Sequence, residues 1–210
     1  MMSEEMVFRK RRLSSFQIII LGFAGVILLG ALLLMLPLST TAGCVTPFHD
    51  ALFTATSAVC VTGLVVQDTG SYWSVFGQVV ILTLIQIGGL GVVTVAASFA
   101  LLSGRRISLM QRSTMQDAIS APRVGGIVRL TRFILQGTFL IELIGALAML
   151  PVFCRDYGWR GIWMAVFHSI SAFCNAGFDI LGTNGNLYPS LTGYVQNPVI
   201  NITIMLLIIT

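Results

Sequence analysis

Residues 56–64 read TSAVCVTGL, a run of small and weakly polar side chains closing on Gly63 and Leu64, in a chain of 210 residues that is 56% hydrophobic and only 10% charged. The stretch around it recurs 114 positions later. ALFTATSAVCVTGL at 51–64 aligns with AVFHSISAFCNAGF at 165–178, with the identities Ala51/Ala165, Phe53/Phe167, Ser57/Ser171, Ala58/Ala172, Cys60/Cys174 and Gly63/Gly177. The same shift aligns ALLLMLP at 31–37 with GALAMLP at 145–151, matching Pro37 to Pro151. One offset serves both regions without a gap, which identifies two related units in tandem.

An ordinary soluble domain is about 25% charged, so this composition excludes a typical soluble globule. Uncharged apolar runs occupy 16–38 and 74–102, and a third at 133–154 is interrupted only by Glu142. Each is long enough to cross a bilayer, which takes roughly 20 residues. Two further pieces, 47–66 and 161–178, are broken by Asp50, His168 and small residues. Their apolar cores, about 10–14 residues, have the length of re-entrant segments. Arg9–Arg12 followed by an apolar run and STTAGC also has the outline of a secretory or lipoprotein signal ending at Cys44. The 23 residues of 16–38 exceed the usual h-region of about 7–15, which favours a retained first helix.

Lys and Arg placement sets the orientation. Arg9, Lys10, Arg11 and Arg12 face only Glu4 and Glu5 before the first run, and the segment 103–132 carries six arginines against Asp117. Both segments are therefore expected to be cytoplasmic, and both short segments to enter from the outer side. The basic residues serve topology and lipid headgroups, with no need for nucleic acid. Four cysteines, at 44, 60, 154 and 174, have neither CxxC pairing nor a His at zinc spacing, so no metal site is expected of them. Cys44 and Cys154 both fall near outer ends of spans, where a disulfide is conceivable, though nothing in the sequence pairs them.

These features specify an all-α membrane protein. Each unit is a spanning helix ending at proline, a short re-entrant helix, a small-residue loop with glycine, and a second spanning helix. The expected layout is a cytoplasmic N-terminus at 1–15, a first unit at 16–102, a basic cytoplasmic linker at 103–132 and a second unit at 133–210. Two spans separate the repeats, so they share one orientation and can surround an axis along the membrane normal. Plain duplication of a helix bundle, with small residues for close packing, accounts for IGGLG at 87–91 but not for a non-spanning loop that recurs. Irregular backbone exposed to lipid leaves amides unsatisfied, so such a loop must be buried in protein or line a watery cavity. Small side chains let loops crowd an axis, Gly63 admits backbone angles closed to other residues, and inward carbonyls can replace the water around a cation.

TSAVCVTGL, SISAFCNAGFD at 169–179 and LIQIGGLGVVT at 84–94 resemble the Trk/Ktr/HKT superfamily of potassium transporters, most closely its Ktr-type membrane subunits. The resemblance implies helix–pore loop–helix (M1-P-M2) repeats, four per polypeptide in the family, each giving a quarter of a selectivity filter. It places that filter at Cys60, Val61, Thr62 and Gly63 and at Cys174, Asn175, Ala176 and Gly177. It implies potassium as substrate with no bound cofactor and no enzymatic activity, selection of potassium over sodium through glycine at both filter positions, a homodimer in the lipid bilayer of the cell membrane, and a cytosolic nucleotide-binding regulatory subunit. Arg105, Arg106, Arg112 and Arg123 lie on the face expected for that subunit. With one full repeat and most of a second, the chain reads as about half of such a transporter. A non-conducting membrane fragment or scaffold is the alternative, and the 210 residues alone are expected not to restore potassium uptake.

Three further positions carry ionisable or reactive groups. Glu142 falls mid-span, where a carboxylate usually faces the bundle interior; its expected role is a structural pair with Arg or Ser, against attraction of cations. Asp68 and Asp179 follow the two loops near the outer mouth, where capping of local backbone and concentration of cations are both consistent with their position. His168, with Ser169 and Cys174 nearby, suggests nucleophilic chemistry, but no acid orients it, so packing or hydrogen bonding is expected.

Overall fold

The computed structural model describes residues 15–91, 94–95 and 127–210. The basic N-terminal residues, Arg105, Arg106, Arg112, Arg123 and most of the expected linker lie outside that set. Among the described residues the chain is helical, with no strand and only two isolated bridges, Thr40 to Trp73 and Thr183 to Asn186.

The first apolar run becomes α1, Ser15–Leu34, followed by a short 3-10 turn at Pro37–Ser39. α2, Phe48–Val59, has 12 residues, and α3, Val75–Leu90, has 16. The N-cap of α3 is Ser74, whose hydroxyl accepts a hydrogen bond from the Gly77 amide at 3.2 Å, satisfying one of the orphan donors of the first turn. In the second half α4, Ile127–Tyr157, is the longest helix at 31 residues; α5, Arg160–Phe173, has 14, and α6, Pro198–Ile209, has 12. Asn197 caps α6 by accepting from the Val199 and Ile200 amides, and Pro198 occupies the first helical position, where its missing N–H costs nothing.

Two differences from the expected boundaries have physical causes. The helix of the second unit begins at Ile127, six residues before the expected start, so Arg129 and Arg132 are helical. It also runs through Pro151 to Tyr157 instead of ending there. A proline breaks one backbone bond, and packing of this segment around the fully buried Phe153 outweighs that loss. α1, with no such anchor beyond Leu36, does stop before Pro37.

α1, α2 and α3 pack on one another, α4, α5 and α6 pack on one another, and α3 meets α5 between the two sets. Two helices, Gln17–Leu34 and Arg129–Tyr157, are long and apolar enough to cross a membrane. Their apolar outer faces are bare: Leu29 is 60% exposed and Phe133 72%. On α4 the opposite face, with Thr138, Glu142, Ala146, Met149 and Phe153 at helical spacing, is buried. A soluble core helix would cover both faces.

Candidate ion-filter loops

The two short helices end in the same way, residue for residue. In α2 the Cys60 amide bonds the Thr56 carbonyl at 2.8 Å, Val61 bonds Ala58 at 3.3 Å, and Thr62 bonds Ser57 at 3.0 Å. In α5 the Cys174, Asn175 and Ala176 amides bond Ile170, Ala172 and Ser171 at 3.0, 3.0 and 2.7 Å. Every donor and acceptor is displaced by the same 114 positions. Both ends are Schellman motifs, whose two crossed bonds absorb orphan carbonyls and require a left-handed residue just past the helix. That residue is Val61 in one loop, at φ 56°, and Asn175 in the other, at φ 57°. Asn tolerates this region, whereas a β-branched Val there is strained. Gly63 and Gly177 follow at φ 70° and 73°.

The carbonyls of Cys60, Val61, Thr62 and Gly63, and those of Cys174, Asn175, Ala176 and Gly177, accept no hydrogen bond from any described residue. Eight backbone oxygens thus remain for water or another partner: Ala176 is buried, Val61, Gly63 and Cys174 are half-buried, and Cys60, Thr62, Asn175 and Gly177 are exposed. The two sets adjoin. A Cβ built on Gly63 would lie 2.5 Å from the Ala176 oxygen and 3.3 Å from the Gly177 Cα, while one built on Gly177 would lie 3.6 Å from the Gly63 Cα.

Side chains brace both loops from behind. Thr62 Oγ1 lies 3.0 Å from Ser57 Oγ, to which it donates, and Ser171 Oγ donates to the Phe178 carbonyl at 2.7 Å. Gly88 of α3 sits against the Val59 carbonyl at the end of α2, and a Cβ on Gly89 would lie 2.6 Å from Cys174 Sγ. The glycines read as a packing motif thus press α3 against the bases of both loops.

Glu142 is buried, and its side-chain partner is neither Arg nor Ser. Gln86 Nε2, on α3, donates to Glu142 Oε1 at 2.8 Å, while Ser169 Oγ donates to the Glu142 backbone carbonyl at 2.6 Å. Sequence reasoning overlooked Gln86, one of two glutamines in an apolar run, whose position 56 residues upstream gave no local signal. The Ser57/Ser171 identity was the available signal for the bracing hydroxyls.

Asp68 is 4% exposed. Its Oδ2 accepts from the Ser71 amide at 2.8 Å and the Ser71 hydroxyl at 2.6 Å, and its Oδ1 accepts from the Tyr188 amide at 2.9 Å. The repeat equivalent of Asp68 is Gly182, and its Cα packs directly on the Asp68 carboxylate. Asp68 therefore clamps the loop after the first glycine to the loop after the second. Asp179 is half-buried, and its Oδ2 accepts from the Leu181 amide at 3.2 Å. Burial raises its carboxyl above the usual carboxylate range, the Leu181 bond opposes this, and the nearby Asp68 charge adds to it.

His168 is 2% exposed, stacks on Phe153 at 5.1 Å and donates from Nδ1 to the Met164 carbonyl at 2.7 Å. The equivalent Thr54 makes the same bond, to the Asp50 carbonyl at 2.9 Å. His168 thus serves packing and hydrogen bonding within α5, as expected. The four cysteines are free thiols, so Cys44 and Cys154 form no disulfide.

Residues 8–210 match the TrkH family model, described as a cation transport protein. The chain is 45% identical over 174 residues to the potassium/sodium uptake protein NtpJ of Enterococcus hirae, covering 82% of this chain and 39% of that protein. Against the Ktr system potassium uptake protein B of Bacillus subtilis it is 42% identical over 210 residues, all of this chain and 45% of that one. Against its namesake from Vibrio alginolyticus it is 38% identical over 189 residues, 90% of this chain and 40% of the relative. The chain thus spans less than half the length of these relatives.

Proposed function

Because the chain belongs to the TrkH family of cation transport proteins, we propose that it is part of the membrane subunit of a Ktr/Trk-type uptake system and carries potassium across the cell membrane between the carbonyls of its two loops. The observation that carries this reading is the set of eight unbonded carbonyls on two adjoining loops of matching backbone, at 60–63 and 174–177. Carbonyl dipoles in a narrow site take the place of a cation's hydration shell.

On this reading α1, α2 and α3 form one M1-P-M2 repeat within 16–102. α4, α5 and α6 form a second, whose helical part starts at Ile127 and which runs on through 210. α2 and α5 are pore helices entering from the outer side, and the N-terminus and the linker are cytoplasmic. Bare apolar faces on α1 and α4 suit lipid. Two loops make half of a four-loop ring; the rest would come from polypeptide outside these 210 residues or from a second copy. The Ktr-system names of two relatives support assembly with a regulatory subunit; a cytosolic, nucleotide-binding one and a homodimer are what the family resemblance implies. Asp179 attracts cations at the outer mouth, whereas Asp68 and Glu142 act as struts.

Potassium is favoured over sodium because a side chain at Gly63 or Gly177 would enter the space between the loops. The test is rubidium and sodium flux in cells lacking their own potassium uptake, with this chain expressed in a polypeptide of the relatives' length. The expected result is rubidium flux with sodium excluded, and loss of that discrimination in Gly63→Ser. Equal discrimination by both proteins at matched expression would remove 60–63 from the filter.

A further inference from the structure

Past the two loop glycines the units differ in length. Gly63 lies 11 positions before Ser74, the N-cap of α3, whereas Gly177 lies 20 positions before Asn197, the N-cap of α6. The longer connection forms a two-residue turn, closed by 3.0 Å bonds in both directions between Thr183 and Asn186, and then reaches Tyr188. Tyr188 has φ 53°, as does Ser190 on the other side of Pro189. A bulky side chain rarely takes positive φ, and a following proline restricts the residue further. Such a conformation persists only where the surroundings over-determine it.

Two bonds to the first unit do so here. The Tyr188 amide donates to Asp68 Oδ1 at 2.9 Å, and the Tyr188 hydroxyl donates to the Val66 carbonyl at 3.0 Å. The residue is 50% exposed, so burial of the ring does not account for its place.

The hydroxyl supplies what the first loop lacks. In the second loop Ser171 Oγ donates to the carbonyl of Phe178, one residue past Gly177. The equivalent Ser57 makes no such bond to Leu64; its hydroxyl is engaged with Thr62 instead. From Gly63 to Gln67 no backbone group bonds another backbone group among the described residues, and the Val66 carbonyl is held by Tyr188 alone. Carbonyls that replace a hydration shell must keep their number and spacing. A loop with a free outer end can spread. We infer that Tyr188 is a positioning residue for ion selection: it pins the outer end of the first loop through Val66 and so keeps the carbonyls at 60–63 at the spacing that favours potassium over sodium. The inference rests on the reading of 60–63 as a filter; the two hydrogen bonds do not.

Rubidium and sodium uptake test it, in cells lacking their own potassium uptake and with this chain in a polypeptide of the relatives' length. Tyr188→Phe keeps the ring and removes the hydroxyl, and should lower the rubidium-to-sodium ratio roughly fivefold, the scale of one neutral hydrogen bond. Tyr188→Asn removes the same hydroxyl but tolerates the left-handed backbone. Both variants should lose discrimination alike, although Tyr188→Asn should unfold at a higher temperature than Tyr188→Phe. Tyr194→Phe removes a hydroxyl bonded to Asp156 Oδ2 at 2.9 Å and to neither loop, and should discriminate as wild type does. Wild-type discrimination in Tyr188→Phe, an equal loss in Tyr194→Phe, or a loss that follows unfolding temperature across the variants would each overturn the proposal. Gly63→Ser, assayed alongside, separates the two ways to fail. If it retains discrimination, the reading of 60–63 falls and this inference with it; if it alone loses discrimination, only the role of Tyr188 falls.

Discussion

Gly63 and Gly177 face one another across the two loops, each so close that a Cβ on one would lie 3.3 or 3.6 Å from the Cα of the other. The contact is not symmetric. Gly63 also presses on the Ala176 oxygen, at 2.5 Å from its built Cβ, whereas Gly177 has no such neighbour. Both sit at positive φ, so alanine strains the backbone at either site. Only at Gly63 does it also displace a carbonyl of the other loop. Gly63→Ala should therefore lower potassium flux more than Gly177→Ala while the two lose similar thermal stability. Equal flux losses would show that the Ala176 oxygen does not contribute to the ion path.

Val61 holds a left-handed conformation that its β-branch resists, at a cost of about 1–2 kcal/mol. Asn175 occupies the same position of the second loop with less strain. Val61→Asn should raise stability by about 1 kcal/mol, read as a higher unfolding temperature, with the backbone of the loop kept. A drop in stability would mean that Val61 is held by packing that outweighs its backbone strain.

Asp68 and Asp179 should part company when neutralised. Asp68→Asn weakens bonds from the Ser71 amide and hydroxyl and the Tyr188 amide, and is expected to cost about 1–3 kcal/mol with the chain after Gly63 and after Gly177 loosened. Proteolysis between residues 183 and 190 reports that loosening.

Asp179 behaves in the opposite sense. Its folded carboxyl is raised mainly by burial, so the folded state favours the protonated form. The stability this contributes is complete below the unfolded value, about 3.9, and is lost as pH rises through the folded value. At neutral pH the ionised group opposes folding. Asp179→Asn should melt higher than wild type at pH 7, with the gap closing as pH falls toward about 4. If Asp179 also gathers cations, the same variant needs more external potassium for half-maximal uptake.

The half-buried Gln86 and the buried Glu142 pair across the joint between the halves. Gln86→Leu removes the hydrogen-bond donor of the buried Glu142 carboxyl group and should destabilise by about 1–3 kcal/mol. Adding Glu142→Leu should recover most of that loss, because removing both partners leaves nothing unsatisfied. Urea or thermal unfolding of the two variants measures the difference. Failure of the double variant to recover would assign Glu142 a further partner.

The architecture was legible where one physical rule governed it. The 114-residue offset appears in the sequence as six identities around the loops and four in the segments ending at Pro37 and Pro151, and in the structure as three pairs of equivalent hydrogen bonds, because helix ends are set locally by the residues they contain. Glycine at 63 and 177 pointed to positive φ for the same reason. Long-range partners were not legible. The Gln86–Glu142 bond and the Asp68–Tyr188 bond join residues 56 and 120 positions apart. Helix ends decided by packing were not legible either: Pro151 reads as a terminator, yet α4 passes through it toward the buried Phe153.

The central claim is that a cation sits between the two loops, and anomalous scattering measures this most directly. In crystals of the transporter that carries this chain, soaked in thallium or rubidium, the account predicts an anomalous peak bounded by the Thr62 and Gly63 carbonyls on one side and those of Ala176 and Gly177 on the other. A strong peak elsewhere in the membrane-spanning region, with none between these loops, would contradict it.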